Sequence, residues 1–274
     1  MIDLDAEPPA GVFWSRMSAS SHTRDHPHAK DQTRGVLSWL ERHGRRVVNG
    51  RAVIELEMSK VEQHVALRAA GFDVPRTIAV AGPGRLPEAA RRLPAPFISK
   101  HNQGGKGLGV RLFASHEEFD AYVGSPEFEA PVDGILLLQE YLRAAQPRIT
   151  RAEIVGGEFI YAITADTAAG GFELCPADAC AIGGEAGPPP SLFALREGFD
   201  DPIIGRYLDF TRRHGIEICG LEFIETTGGR LVTYDINTNT NYNPGIEAVA
   251  PRSAQRAVAA FLGELLDGEI ERAA

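Results

Sequence analysis

Apolar residues recur along the chain with two spacings, which together predict a mixture of helices and strands. Spacings of three and four residues predict helices from Lys30 to a stop at Gly44 and over 55–70. Short apolar runs bounded by glycine or proline predict strands in PFISK, VRLF and GILLLQEYL. Several strands are joined by turns alone, as in AEIVGGEFIYAIT. This order predicts an α+β fold with antiparallel sheets rather than a doubly wound sheet.

The two ends of the chain give simpler patterns. The first thirty residues look irregular, and their three clustered histidines, His22, His26 and His28, lie in a polar stretch with no regular element beside them. A solvated loop is therefore favoured over a metal site there. Near the other end, the pattern predicts a helix that follows DDP and stops near Gly215, and a closing helix over 251–267.

Composition narrows the classes of partner. The 274 residues include 28 basic and 37 acidic side chains, a net charge of −9, and only four of the basic residues are lysines. An acidic chain does not attract nucleic acid or an anionic membrane, so neither is expected as a partner. No apolar run approaches the roughly 20 residues that cross a bilayer. Sparse cysteines without metal-binding spacing predict buried thiols in a cytoplasmic protein; these are Cys175, Cys180 and Cys219.

A glycine-rich loop, HNQGGKGLG, lies between two predicted strands, with Lys100 before it and Lys106 inside it. The Walker pattern fails because Val110 stands where its lysine must be. The Rossmann fingerprint fails because a strand, not a helix, follows the loop. Two interpretations stay open, a hairpin that closes over a nucleotide and a mobile surface turn.

The segment EICGLEFIETTGGRLVTYDINTN predicts a hairpin that carries acidic residues. If 226–229 form the turn, Glu222 pairs with Thr233, and Asp235 and Asn237 share the face of Glu222. The opposite face is then apolar. Carboxylate and amide oxygens suit Mg²⁺, and their partial burial favours a metal site over an exposed polar face.

The lysine hairpin followed by the carboxylate hairpin resembles the ATP-grasp superfamily, and most closely its RimK-like carboxylate–amine ligases. The resemblance covers roughly residues 58–250 and rests on five segments in order. These are SKVEQHVALRAAGFDVPRTIAV, PFISKHNQGGKGLGV, LLLQEYL, RAEIVGGEFIYAI and YDINTNTNYNPGIEA.

The resemblance implies two α+β subdomains with antiparallel sheets that grip a nucleotide. Residues 1–57 would form a reduced N-terminal α/β segment, 58–134 the entry and lid subdomain, and 135–274 the C-terminal subdomain with the metal site. The short first segment implies a reduced substrate cleft, or one that a partner subunit or a second copy of the chain completes.

The resemblance also implies roles for individual residues. Lys60 and Lys100 would contact ATP phosphates, and Arg151 would lie near the transferred phosphate, so Lys100 and Arg151 are the expected catalytic residues. The loop that closes over ATP would contain Gly104, Gly105, Lys106, Gly107 and Gly109. The residues beside adenine would be Gln139, Glu140 and Leu142. The ligands of Mg²⁺, or of Mn²⁺, would be Glu222, Asp235 and Asn237.

The implied activity is ATP- and Mg²⁺-dependent formation of an amide from a carboxylate and an amine, through an acyl phosphate, with a small molecule or peptide as substrate. Two alternatives are a nucleotide-binding module without catalysis and a phosphotransferase. RimK-like enzymes tend to carry basic residues after the EFIYAI segment, whereas TADTAAGGFELCPADACAIGG has none, which leaves the acceptor open. The asparagines of NTNTNYNPG either face the substrate or form a turn that caps itself; they include Asn239, Asn241 and Asn243.

Overall fold

The computed structural model describes residues 2–105, 107, 109–168 and 192–273, so Lys106, Cys175 and Cys180 lie outside the described residues. The strands are β1 Val12–Trp14, β2 Arg46–Val48, β3 Thr77–Ala81, β4 Phe97–His101, β5 Arg111–Phe113, β6 Ile135–Glu140, β7 Arg148–Val155, β8 Glu158–Asp166, β9 Phe193–Leu195, β10 Ile218–Glu225 and β11 Leu231–Asn237. The helices are α1 Ala29–Arg42, α2 Arg51–Met58, α3 Lys60–Ala69, α4 Leu86–Ala90, α5 His116–Val123, α6 Ile203–His214, α7 Pro244–Val249 and α8 Ala254–Ala273.

The described strands form three sheets. Five strands form an antiparallel sheet in the order β11-β10-β7-β8-β9, and four form a second antiparallel sheet in the order β3-β6-β4-β5. Near the N-terminus, β1 and β2 pair in parallel, with α1 between them in the chain. The predicted α+β class with antiparallel sheets is confirmed.

One face of the five-stranded sheet is apolar over the length of β7 and β10. Ile154 and Leu221 pack there against Tyr207 and Phe210 of α6. Side chains alternate along a strand, so the intervening residues point to the opposite face. On that face Ile218 belongs to a second apolar cluster, whose other members include Val48, Val155, Ala254 and Val258.

The same opposite face becomes polar further along β7 and β10. Arg151 and Glu153 of β7 lie there, and Gly220 and Glu222 of β10 are their neighbours. The change from apolar to polar along one sheet face therefore marks where packing ends and the candidate site begins.

The predicted register of the β10–β11 hairpin is wrong, because the structure contains a β-bulge that shifts the pairing. Glu222 pairs with Asp235 and not with Thr233, and the register shifts between Glu222 and Phe223. The extra residue opposite this step reverses which side chains face the core. Thr233 is fully buried and lies 2.7 Å from the hydroxyl of Tyr207, whereas the Tyr234 hydroxyl donates to Glu222 at 2.9 Å.

Three predicted elements have different limits in the structure. The helix expected over 55–70 is two helices, because Ser59 has an extended backbone, and its side chain accepts a hydrogen bond from the backbone N–H of Glu62. The first thirty residues, expected to be irregular, contain β1, which is held by its parallel pairing with β2. The closing helix begins at Ala254 and is preceded by the separate short helix α7.

The proposed limits at residues 57 and 134 stay predictions. β6 begins at Ile135 and pairs with β3 and β4, in the sheet that also carries Lys100. Its apolar face joins a core that packs α4 and α5 onto the four-stranded sheet and includes Leu86, Phe97, Phe113, Phe119, Leu136 and Leu138.

Two further features concern the sequence predictions. Cys219 is a free, buried thiol whose pKa is raised by burial. Among the described residues, no helix has both the length and the apolar character needed to cross a membrane.

Candidate active site

A cavity of about 890 Å³ has walls from both large sheets, the N-terminal segment and the connection after β6. It brings together most of the residues that the sequence singles out. Those that line it are Lys60, Lys100, Gly104, Gly105, Gly107, Gln139, Glu140, Leu142, Arg151, Glu222, Asp235, Asn237, Asn239 and Asn241.

Lys60 reaches the cavity because it is the first residue of α3, directly after the break at Ser59. Its ammonium forms an ion pair with the carboxylate of Asp235, across 175 residues of chain. Although burial opposes the charge of Lys60, the Asp235 carboxylate raises the pKa of this lysine. Lys60 is therefore a fixed positive charge on the floor of the cavity.

Lys100 lies on β4, opposite Leu137 of β6, and its exposed fraction is 7%. Burial and the neighbouring charge of Lys60 lower the pKa of Lys100 to about 8. Holding two ammonium groups near each other in a buried place is costly unless an anion joins them. The pair Lys60 and Lys100 therefore suits a polyanionic ligand such as a phosphate chain.

Glu222 and Asp235 lie directly opposite each other on β10 and β11. Burial and the Asp235 charge raise the pKa of Glu222. Burial acts on Asp235 as well, but the charges of Lys60 and Lys100 hold the pKa of Asp235 below its usual value. The pair thus has one carboxylate that is compensated by protein cations and one that would gain from an added cation.

Arg151 lies on β7, between the carboxylates and the loop after β11. Its Nε is 2.8 Å from Glu153 Oε1, its Nη1 is 3.9 Å from Glu222 Oε1, and it also donates to the hydroxyl of Thr240. Any side chain at Gly220 would overlap this guanidinium, whose Cζ lies 3.1 Å from an added Cβ. The glycine therefore leaves room for the guanidinium of Arg151.

The glycine loop begins where β4 ends. Gly104, Gly105 and Gly107 line the cavity, and a Cβ on Gly105 would lie 3.5 Å from Ser20 of the N-terminal segment. Gly109 has φ +68° and is not among the lining residues; an added Cβ there would overlap the ring of His101. This left-handed backbone and the close ring both require glycine at that position.

The connection after β6 supplies a different kind of wall. Gln139 and Glu140 end the strand, and Glu140 is held by Arg76, whose backbone N–H donates to Glu140 Oε1 at 2.8 Å. Leu142 follows after the strand has ended, where the backbone is not paired in the sheet. Apolar side chains from both sheets lie around this end, among them Ile98, Ile149, Ile163 and Ile224. An apolar slot beside backbone groups that are not paired in a sheet is suited to a flat heterocycle.

Asn237 at the end of β11 and the three asparagines after it divide into two groups. Asn237, Asn239 and Asn241 line the cavity. Asn243 does not: its Oδ1 accepts from the backbone N–H groups of Gly245 and Ile246 and caps α7. The capping interpretation therefore holds for Asn243, whereas the substrate-facing interpretation stays a prediction for Asn239 and Asn241.

Sequence reasoning missed two parts of the wall. Ser18, Ala19 and Ser20 reach the cavity from a stretch that was expected to be irregular. Glu57 also lines it, and its carboxylate accepts from the backbone N–H groups of Ala19 and Thr238. A signal for Glu57 exists in the sequence, since an acid four residues after Val53 falls on the apolar face of a helix.

The chemistry of the predicted donor set matches magnesium. Within the described part of the chain, no three His, Cys, Asp or Glu side chains form a group that could hold a metal. The predicted set needs only two carboxylates and an amide, and all three residues line one cavity. Hard oxygen donors beside a place for phosphate match the way Mg²⁺ is bound, because this ion takes a few protein oxygens together with phosphate oxygens. The residues present therefore fit the ion.

Comparison with known proteins supports this fold. No family model matches the chain. A probable alpha-L-glutamate ligase of Stenotrophomonas maltophilia (strain K279a) is 26% identical over 216 residues, which cover 78% of this chain and 67% of the relative. The chain thus spans about two thirds of the length of that relative.

Solved structures give the fold. A RimK domain ATP-grasp protein of Sphaerobacter thermophilus (DSM 20745) superposes with a TM-score of 0.62 at 16% identity, over 94% of this chain and 82% of its own. The ATP-grasp ligase PsnB, complexed with a minimal precursor, gives 0.59 at 17% identity, over 95% and 78%.

The chain thus has the fold of the ATP-grasp proteins with which it superposes. The similar proteins are named as probable alpha-L-glutamate ligases and as a RimK domain ATP-grasp protein.

Proposed function

We propose that this protein uses ATP and Mg²⁺ to join a carboxylic acid to an amine, with the reaction taking place in the cavity between the two large sheets. One observation carries the proposal. The facing carboxylates Glu222 and Asp235 lie in the same cavity as the buried lysines Lys60 and Lys100. Phosphoryl transfer needs such a combination, because catalysis depends on charge neutralisation and positioning.

ATP would lie with its phosphates toward the lysines and its base toward the connection after β6. Lys60 and Lys100 would contact phosphate oxygens, and the loop containing Gly104, Gly105, Lys106, Gly107 and Gly109 would cover them. The adenine would lie beside Gln139, Glu140 and Leu142, largely against their backbone groups. Glu222, Asp235 and Asn237 would hold Mg²⁺, with Mn²⁺ as a substitute; when bound, the ion would neutralise charge on the phosphate oxygens.

The reaction proceeds in two steps. A carboxylate oxygen of the acid attacks the γ-phosphorus, the bond to the bridging oxygen breaks, and ADP leaves. The amine then attacks the carbonyl carbon of the acyl phosphate, inorganic phosphate leaves with the carboxylate oxygen, and the amine loses a proton as the amide forms. Arg151 would stabilise charge on the transferred phosphoryl group, and its contact with Glu153 holds the guanidinium in place.

The substrates are small-molecule or peptide carboxylates and amines. The relatives named above are a probable alpha-L-glutamate ligase and a ligase complexed with a precursor, which supports both classes. We also propose that the subdomains divide at residues 57 and 134. A second copy of the chain or a partner subunit would complete the N-terminal side of the cleft. We further propose a cytoplasmic location, where ATP is available.

The test is turnover with mixed substrates. The protein is incubated with ATP, MgCl₂ and pools of acids and amines, and ADP, free phosphate and new amides are measured. The proposal expects all three products in equal amounts. ADP with a phosphorylated product and no free phosphate would indicate a phosphotransferase, and nucleotide binding without turnover in any pool would indicate a regulatory module. Either result would contradict the ligase.

A further inference from the structure

The segment 237–241 alternates between buried threonines and asparagines that face the cavity. Thr238 and Thr240 have exposed fractions of 4% and 1%, whereas Asn237, Asn239 and Asn241 line the cavity. The backbone bends at Thr238 and Asn239, directly after β11 ends. The segment nevertheless presents every second side chain to the site.

Two buried carboxylates anchor the threonines. The Thr238 hydroxyl and backbone N–H both donate to Glu57 Oε2 at 2.8 Å. The Thr240 hydroxyl lies 3.1 and 3.0 Å from the two carboxylate oxygens of Glu153. With both threonines fixed, the asparagines between and beside them have a defined direction.

Arg16, from the segment after β1, reaches this loop from a position more than 220 residues earlier in the chain. Its Nε donates to Asn239 Oδ1 at 3.1 Å, and its Nη2 donates to Asn241 Oδ1 at 2.9 Å and to the carbonyl of Thr240 at 3.3 Å. The guanidinium also lies 4.9 Å from the ring centroid of Trp14. One side chain thus holds two cavity-lining carboxamides.

The chemistry of arginine decides which way these carboxamides point. A guanidinium has five N–H donors and no acceptor, so only the oxygen of a carboxamide can face it. The NH₂ groups of Asn239 and Asn241 therefore point away from Arg16. Arg16 therefore leaves the NH₂ groups of these two side chains as hydrogen-bond donors toward other groups. Their oxygens are already occupied by the guanidinium.

The positive charge of Arg16 is also available to attract an anion. Among the described residues, no carboxylate forms an ion pair with it; its partners on this loop are three neutral oxygens. Arg151, in contrast, forms an ion pair with Glu153. Two N–H donor groups beside an uncompensated guanidinium match a planar anion with two oxygens.

We propose that Arg16 is a positioning residue that makes Asn239 and Asn241 a donor pair for a carboxylate group of the substrate. The proposal rests on the proposed ligase function, because only that function makes the bound carboxylate a substrate. It also supplies, from the N-terminal segment, basic character that TADTAAGGFELCPADACAIGG does not provide.

The test uses acetate as the smallest carboxylate probe and needs no turnover. The side-chain NH₂ signals of Asn239 and Asn241 are assigned in the ¹⁵N-labelled protein through their loss in Asn239→Asp and Asn241→Asp. Acetate is then titrated at constant ionic strength in the presence of ADP and Mg²⁺, with acetamide as the neutral comparison. We expect acetate, and not acetamide, to shift both signals in the wild type.

Two variants separate positioning from simple loop support. Arg16→Met should weaken acetate binding about tenfold or more, because the carboxamides lose their fixed orientation and the cation is gone. Asn241→Asp keeps an acceptor for Arg16 but has no N–H donor, so it should also lose acetate binding while the loop stays in place. Arg34→Met is the matched control, since Arg34 lies on α1 and pairs with Asp31 and Glu55.

The outcomes are distinct. An unchanged acetate response in Arg16→Met, or no response in the wild type, would overturn the proposal. Full acetate binding in Asn241→Asp would show that Arg16 only supports the loop, which would overturn it as well. If acetate binds as expected but no acid is turned over, the donor pair stands and the ligase function fails. If acids are turned over equally by wild type and Arg16→Met, the function stands and the donor pair fails.

Discussion

Two pairs of acidic side chains lie around the segment 237–241, and their surroundings differ. Glu57 and Glu153 are buried and accept hydrogen bonds from threonines, and burial raises the pKa of each. Glu222 and Asp235 face the cavity, and the charged groups around them are Lys60, Lys100 and Arg151.

This contrast shows that burial alone does not identify a functional carboxylate. The first pair, the anchoring carboxylates Glu57 and Glu153, has its oxygens occupied by groups of the protein. Glu153 also pairs with Arg151, and Glu57 also lines the cavity. The second pair, the cavity carboxylates Glu222 and Asp235, differs because its two carboxylates face each other with Lys60 and Lys100 beside them, which is the surrounding that a metal and a phosphate chain require. The following predictions separate the two pairs.

The largest effect is expected for a cavity carboxylate. Asp235→Asn keeps the size of the side chain but removes a charged metal ligand, so turnover should fall about a thousandfold. The variant should also lose stability, because Lys60 and Lys100 lose the carboxylate beside them, so the rate is measured at a temperature where the variant is folded. The measurement is the steady-state rate of ADP release at saturating ATP over a range of Mg²⁺ concentrations. A rate close to that of the wild type would remove Asp235 from the metal site.

The next effect concerns the buried lysine of β4. Lys100→Met removes one phosphate contact, and the affinity for ADP with Mg²⁺ should fall about tenfold to a hundredfold. The free protein should become more stable, on the order of 2 kcal/mol, because the buried charge is lost. Calorimetric titration and thermal unfolding measure the two quantities. Unchanged nucleotide affinity would place Lys100 outside the site.

An anchoring carboxylate should affect stability instead. Thr238→Val removes the hydroxyl that donates to Glu57 Oε2 while the backbone N–H remains. We expect a loss of about 1–3 kcal/mol in the free energy of unfolding, since the carboxylate loses a donor. Thr33→Val is the control, because its hydroxyl contacts only the sulfur of Met17 among the described residues. Denaturant unfolding gives both values, and equal losses would contradict the anchoring role.

The smallest effect is a dependence on pH. Lys100 has a pKa of about 8 and a usual value of 10.5, so it loses its charge as the pH rises through about 8 in the free protein. Affinity for ADP with Mg²⁺ should therefore fall several-fold between pH 7 and pH 9. Because folding lowers this pKa, the free protein should gain stability over the same rise. Lys100→Met should flatten both profiles, and a profile that persists in this variant would assign the titration to another group.

Much of the site could be predicted because it rests on short segments. Lys100, Glu222 and Asp235 each lie in a strand whose pattern is visible in the sequence, and Lys60 lies in a stretch predicted to be helical. The structure brings all four to one cavity. The strand alternation was enough to place the two carboxylates on one face. It was not enough to give the register, because nothing in the local pattern marks the bulge that turns Tyr234 toward the site.

The remaining parts depend on contacts between distant residues. Arg16 meets Asn239 across 223 positions, and Glu57 meets Thr238 across 181. Neither pairing has a local signal, and β1 is too short to stand out without its partner β2. The break at Ser59 was missed for the opposite reason, since apolar periodicity continues through it while its side chain caps the following helix.

The proposed chemistry can be followed through one oxygen atom. An acid that supports turnover is labelled with ¹⁸O in its carboxyl group, and the inorganic phosphate released with the amide is analysed by mass spectrometry. If the carboxylate attacks the γ-phosphorus and the amine then displaces phosphate, each phosphate carries one labelled oxygen from the acid. Phosphate without the label would contradict the acyl-phosphate route, and with it the central role given to the cavity.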